Sequence, residues 1–134
     1  MKSPSLSELQ SEIADFLRSF PEILFAILYG SAVEGESYRD LDIALWVDRA
    51  QLLPEQDLDF EFRVESELRR RLRFPVDVRI VNEAPLSFRY HVSIGVPLWV
   101  RDEEAYSTFR ERTWDEYFDF QPIALAYLRE MRDG

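Results

Sequence analysis

Cysteine is absent from the 134 residues, which excludes a disulfide framework and any thiolate metal site. Histidine is nearly absent. The single one, His91, stands in a segment of helical pattern, where a packing or surface role is commoner than a catalytic one. Any bound metal must therefore be held mainly by oxygen. Long apolar runs are missing too: no stretch approaches the roughly eighteen residues of a membrane span. The opening MKSPSLSELQSEIADF has a lysine but no apolar core like that of a secretion signal. From these absences we expect a cytoplasmic protein with no membrane association.

Basic residues are scarce. Sixteen Lys and Arg stand against 26 Asp and Glu, a formal charge of −10, and such a surface repels phosphate backbones. Sequence-independent nucleic-acid binding is disfavoured. Solubility is the ordinary reading of the surplus acid, and a basic protein partner is the sharper one. Apolar residues are plentiful at 46%, enough for one core in a chain of this length. No linker, repeat or low-complexity tract appears, so we expect one domain over 1–134, with 103–134 forming a C-terminal helical segment.

Ser5 followed three residues later by Glu8 has capping-box spacing, and Leu9, Ile13, Phe16, Leu17 and Phe20 recur as a helix requires. A first helix should run to about Phe20. The apolar run Ile23 to Tyr29, ending at a glycine, reads as a central strand buried on both faces. Asp40 to Val47 reads as a second strand. Pro54 opens a helix to about Arg73, with Leu58, Phe62, Leu68 and Leu72 in its buried stripe. Val76 to Val81 alternates as a third strand, and Pro97 to Val100 as a fourth, after a short helix from Pro85 that Gly95 stops. From Glu103 the pattern is helical again, with an interruption expected near Pro122. The whole reads as an α/β (α+β) domain.

The chemistry concentrates in Leu28-Tyr29-Gly30-Ser31, then eight residues, then Asp40-Leu41-Asp42. Residues two apart on a strand point the same way, so Asp40 and Asp42 share one face and Leu41, Ile43 and Leu45 the other. Carboxylates held that close repel and raise one another's pKa unless a cation sits between them. Mg²⁺ takes a few carboxylates and completes its shell with water and phosphate oxygens, which leaves room for a nucleotide. Gly30-Ser31 follows a buried strand, where a glycine lets backbone N–H groups approach phosphate. Asp77 is the only acid between Val76 and Val81, flanked by valines, and a third carboxylate from a neighbouring strand is what the pair needs. Each piece alone is more often a turn, a strand edge or an end residue. Together, in order, on three strands, they point to a catalytic site that holds a metal ion and a nucleotide.

The run LYGSAVEGESYRDLDIALWV resembles the signature of the polymerase-β-like nucleotidyltransferases, and in particular their minimal members, the MNT family of antitoxin-type enzymes. VDVRIVNEAPLSFRYHVSIGVPLWV resembles the segment that supplies the third acid. The Gly-Ser to Asp loop is shorter than usual in the family, and Arg39 stands where a serine often precedes the first acid. The resemblance implies the polymerase-β-like fold, a small mixed sheet flanked by helices. It implies metal binding by Asp40, Asp42 and Asp77, with Mg²⁺ or Mn²⁺ as the ion. Gly30 and Ser31 would bind the phosphates of ATP, and Asp77 would serve as general base. Arg39 and Arg79 could neutralise developing charge or simply pair with acids.

The acceptor implied by the minimal family is a HEPN-domain toxin ribonuclease, adenylylated on a tyrosine. The aromatic segment Tyr106, Phe109, Trp114, Tyr117, Phe118 and Phe120 could dock such a partner or simply pack on its own sheet. Two other readings stand beside this one: an antitoxin that acts by binding alone, and an enzyme that modifies a small-molecule hydroxyl in the manner of the aminoglycoside nucleotidyltransferases. The sequence leaves the oligomeric state open.

Overall fold

The computed structural model describes residues 5–34 and 38–133. Four strands, β1 (Ile23–Tyr29), β2 (Leu41–Val47), β3 (Val76–Ile80) and β4 (Val96–Val100), form one sheet in the order β3-β2-β1-β4. β1 pairs antiparallel with both β2 and β4, while β2 and β3 run parallel. Five helices complete the fold: α1 (Leu6–Leu17), α2 (Ser31–Glu34), α3 (Asp57–Leu72), α4 (Leu86–Ser93) and α5 (Glu103–Asp133), with a 3₁₀ turn at Pro54–Gln56. The parallel pair needs a long crossover, and α3 supplies it. This is the mixed sheet flanked by helices that the sequence implies.

The strands sort their side chains by parity. Ile23, Ala26 and Leu28 of β1, Leu41, Ile43 and Leu45 of β2, and Val76 and Val78 of β3 pack with α1 and α3 into the larger core. The opposite face carries Phe25, Ile27 and Tyr29 of β1 and Ala44 of β2, covered by Phe88 and Val92 of α4 and by Tyr106 and Phe109 of α5. Ser5 caps α1 as expected, its Oγ accepting from the Glu8 N–H at 3.3 Å. The helix ends at Leu17, and Phe20 reaches the core from the following turn, 4% exposed.

Two expectations fail. Leu58 and Phe62 are 80% and 71% exposed; the buried stripe of α3 is Phe60, Val64 and Leu68, of which Leu68 is among the expected residues, while Phe60 stands about half a turn around the helix from Leu58 and Phe62. Both stripes have helical spacing, and the one whose flank also carries Glu61 and Glu65 wins because those acids find partners on the sheet. The N–H groups of Val78 and Ile80 donate to Glu65 Oε1 at 3.0 Å and Glu61 Oε2 at 2.8 Å, and Arg69 Nε donates to the Val76 carbonyl at 2.9 Å. The second failure is at Pro122: α5 runs through it without a break. Proline removes one helical N–H, and flanking turns on either side are long enough to hold the helix through the gap.

Gly95 is required by close approach. A Cβ there would lie 2.3 Å from the Leu28 carbonyl oxygen and 2.9 Å from Ile27 Cγ2. Since the nearer atom is backbone, it cannot step aside by changing rotamer. Gly95→Ala is expected to lower the unfolding free energy by about 2–3 kcal/mol, read as a lower midpoint in urea with an unchanged slope.

Candidate active site

The register of the sheet brings the acids together. Tyr29 of β1 lies opposite Asp42 of β2, and Asp42 lies opposite Asp77 of β3. The three therefore form a row across adjacent strands, on the face that α4 and α5 only partly cover. Gly30 ends β1 with φ at 81°, a left-handed turn that glycine adopts without strain. A Cβ at this position would sit 2.5 Å from Asp42 Oδ2, so the absence of a side chain is what lets the carboxylate lie against the turn. Ser31 then opens the four-residue α2. Asp40 precedes β2 by one residue and is exposed; with Ser31, Tyr38 and Arg39 it lines an open cavity of about 520 Å³. All five residues named from the sequence thus lie at one end of the sheet.

The electrostatics follow from this crowding. Burial pushes the Asp42 carboxyl above its ordinary range, and the negative charges of Asp40 and then Asp77 push it further, with Arg79 and His91 opposing. Tyr29 is buried, and its hydroxyl is pushed up to about 12 by burial and then by Asp42 and Asp77. It stays neutral at physiological pH. Arg79 Nε donates to Asp77 Oδ2 at 3.3 Å, and that carboxylate holds the guanidinium firmly in its charged form.

Sequence reasoning passed over Tyr29 and His91 and left Arg79 undecided. Arg79, two residues after Asp77 and on its face, forms the salt bridge that is one of its two readings. His91 packs edge-on against the Tyr29 ring at 5.8 Å, so it faces the acids from α4. Neither Tyr29 nor His91 carries a local signal, since their neighbours are set by strand register and helix docking.

The donor set fits a hard cation in chemistry. Asp40, Asp42 and Asp77 offer only oxygen, and Asp42 is held in its awkward state by like charges that a cation would relieve. Yet among the described residues no group of three His, Cys, Asp or Glu side chains is gathered closely enough to hold a metal by itself. An open carboxylate set of this kind suits an ion that takes part of its shell from substrate phosphate.

The sequence profile of the family described as "Polymerase beta, Nucleotidyltransferase" matches residues 11–104. No curated protein matches the chain. Among solved structures, the fold is similar to that of a chain in tri-AMPylated Shewanella oneidensis HEPN toxin in complex with MNT antitoxin, with 23% identity, a TM-score of 0.69, and coverage of 94% of this chain and 98% of that one. It is similar to a toxin-antitoxin structure with AMP-PNP, at 24% identity and TM-score 0.70 over 92% and 98% of the two chains. It also resembles the toxin-antitoxin MntA-HepT, at 21% identity and TM-score 0.68 over 94% and 98%.

The raised Asp42 carboxyl makes a thermodynamic prediction. A folded-state pKa above the unfolded one means the native state prefers the protonated form, so its stabilisation is present at low pH and is lost as pH rises out of the ordinary carboxylate range. In chelator at pH 7, Asp42→Asn is expected to melt higher than wild type, on the order of 1–3 °C, and the gap should close toward pH 4. Added Mg²⁺ should raise the melting temperature of wild type but not of the variant. Differential scanning fluorimetry against pH and Mg²⁺ checks all three.

Proposed function

Since the chain belongs to the polymerase beta nucleotidyltransferase family, we propose that it transfers AMP from ATP to a hydroxyl of a protein partner, and that the acceptor is a tyrosine of a HEPN-domain toxin. The observation that carries this reading is the register-matched pair Asp42 and Asp77 beside the Gly30 turn. The likeness to the AMPylated toxin complex and to the structure with AMP-PNP supports it.

Gly30 and Ser31 bind the phosphate tail: the turn exposes backbone N–H groups, and no side chain at Gly30 bars the approach. Asp40, Asp42 and Asp77 are the residues that would hold Mg²⁺, which when bound supplies Lewis-acid stabilisation of charge on the transferring and leaving oxygens. Asp77 takes the acceptor proton. One of its oxygens, Oδ2, is engaged by Arg79, and Oδ1 remains for the acceptor O–H. The acceptor oxygen forms a bond to the α-phosphorus, the bond from that phosphorus to the bridging oxygen breaks, and pyrophosphate leaves with the electron pair. Arg79 keeps the base oriented and offsets negative charge as it accumulates.

The Tyr29 hydroxyl stands beside the acids but is a poor competitor for transfer, because it is buried and held neutral. The acceptor must come from outside. A substrate hydroxyl reaching this end of the sheet meets the carboxylates on the open side, whereas Tyr29 is covered by Phe88 and His91.

The test is incubation with α-labelled ATP and Mg²⁺, with and without a purified HEPN-domain toxin. Label is expected on a tyrosine of that protein, and transfer should fall at least about 100-fold in Asp40→Asn/Asp42→Asn. Tight binding of the partner with no transfer would reject the catalytic reading in favour of inhibition by contact alone. Label on an aminoglycoside but not on the protein would reject the protein acceptor.

A further inference from the structure

α5 is longer than the body it packs on. Its 31 residues span roughly 46 Å, but its deeply buried residues, Tyr106, Phe109 and Thr113, all lie in the first third. Past Trp114 the helix carries Phe120, Ile123, Tyr127, Leu128 and Met131 on one stripe at three- and four-residue spacing, each between 55% and 67% exposed. Phe118 and Leu125 flank it, 54% and 61% exposed. These seven side chains present about 800 Å² of apolar surface, the area one partner contributes to a standard protein interface and more than a typical monomer leaves in one patch.

The stripe is continuous with the active face. It begins where Tyr117 stacks on Tyr90 of α4, ring centroids 3.8 Å apart, and where Phe120 and Tyr117 line an apolar hollow of about 280 Å³ with Leu86 and Ser87. The same α4 turns His91 toward Tyr29 and Asp42. A body seated on the stripe and in the hollow therefore lies next to the carboxylates.

Charge chooses the occupant. From residue 115 to 133 there are five acids against two arginines, in a chain of net charge −10. Asp119 and Glu130, about three turns apart, both lie along the Ile123 edge of the stripe and are exposed. Two copies placed stripe to stripe would set a surplus of three negative charges on one against three on the other, while a basic surface with an apolar groove would be attracted.

We infer that distal α5 and the Leu86–Phe120 hollow form the docking surface for a basic protein partner, and that docking there delivers the acceptor hydroxyl to the acids. The inference rests on the transfer reading only for what is delivered; the surface stands on its own observations. Binding of a purified HEPN-domain toxin is measured by calorimetry, alongside sedimentation of this chain alone and label transfer in the same samples. The chain alone is expected to be monomeric. Tyr127→Ser/Leu128→Ser/Met131→Ser should weaken binding at least about 100-fold with its melting temperature and ATP binding unchanged, and Phe62→Ser, which removes an equally exposed ring from α3, should not weaken it. Affinity unchanged by the triple variant overturns the inference. So does a dimer of wild type that the triple variant makes monomeric, since the occupant would then be a second copy. A partner held through the stripe yet left unlabelled supports the docking surface while rejecting the transfer reading.

Discussion

Leu41, Ile43 and Leu45 of β2 and Val76, Val78 and Ile80 of β3 bury the same face of the sheet against α1 and α3, and they do so in step, Leu41 beside Val76 and Ile43 beside Val78. That shared apolar parity is what forces Asp42 and Asp77 opposite one another on the other face. A slip of β3 by one residue would drive Asp77 into a dry core and lift Val76, Val78 and Ile80 toward solvent. Burial of those three aliphatic side chains opposes it more strongly than the acids' mutual repulsion favours it. The active end of the sheet is thus assembled by hydrophobic packing on the side where no chemistry occurs, and its unfavourable charge density is carried by the stability of the core.

The same constraint explains what could be read from the chain. Alternation in Asp42 to Val47 and Val76 to Ile80 is local, so strand identity and the outward direction of Asp42 and Asp77 were legible. So was Gly30, because only a ligand or a tight turn calls for glycine after so apolar a strand. Leu58 and Phe62 misled because α3 has two apolar stripes of equal spacing, and the choice between them depends on Glu61 and Glu65 meeting the edge of β3, which lies 13 to 19 residues further along. The continuity of α5 past Pro122 was illegible for a similar reason: a proline penalises a helix locally, and the turns around it decide whether the penalty is met.

Arg79 and Gly30 show how the site manages its charge without a ligand. Arg79 occupies one oxygen of Asp77, and Gly30 leaves Asp42 Oδ2 the space that a Cβ would take. Asp40 stays in solvent, just before β2. The three carboxylates are spread over three environments, so that only Asp42 carries the penalty of burial and neighbours together.

The rungs that α3 lays along β3 have a consequence for how this sheet meets other chains. Four residues of helix rise about 6.0 Å and two residues of strand about 6.6 Å, so Glu61 and Glu65 keep pace with alternate N–H groups and Arg69 takes the carbonyl that follows. The outer margin of the sheet is thereby zipped shut by side chains. At the opposite margin β4 carries Pro97, which has no N–H to offer. Together these two features leave less backbone on which another strand could grow. Edge-to-edge growth of the sheet, the first step toward fibrous self-assembly, is thereby disfavoured at either margin.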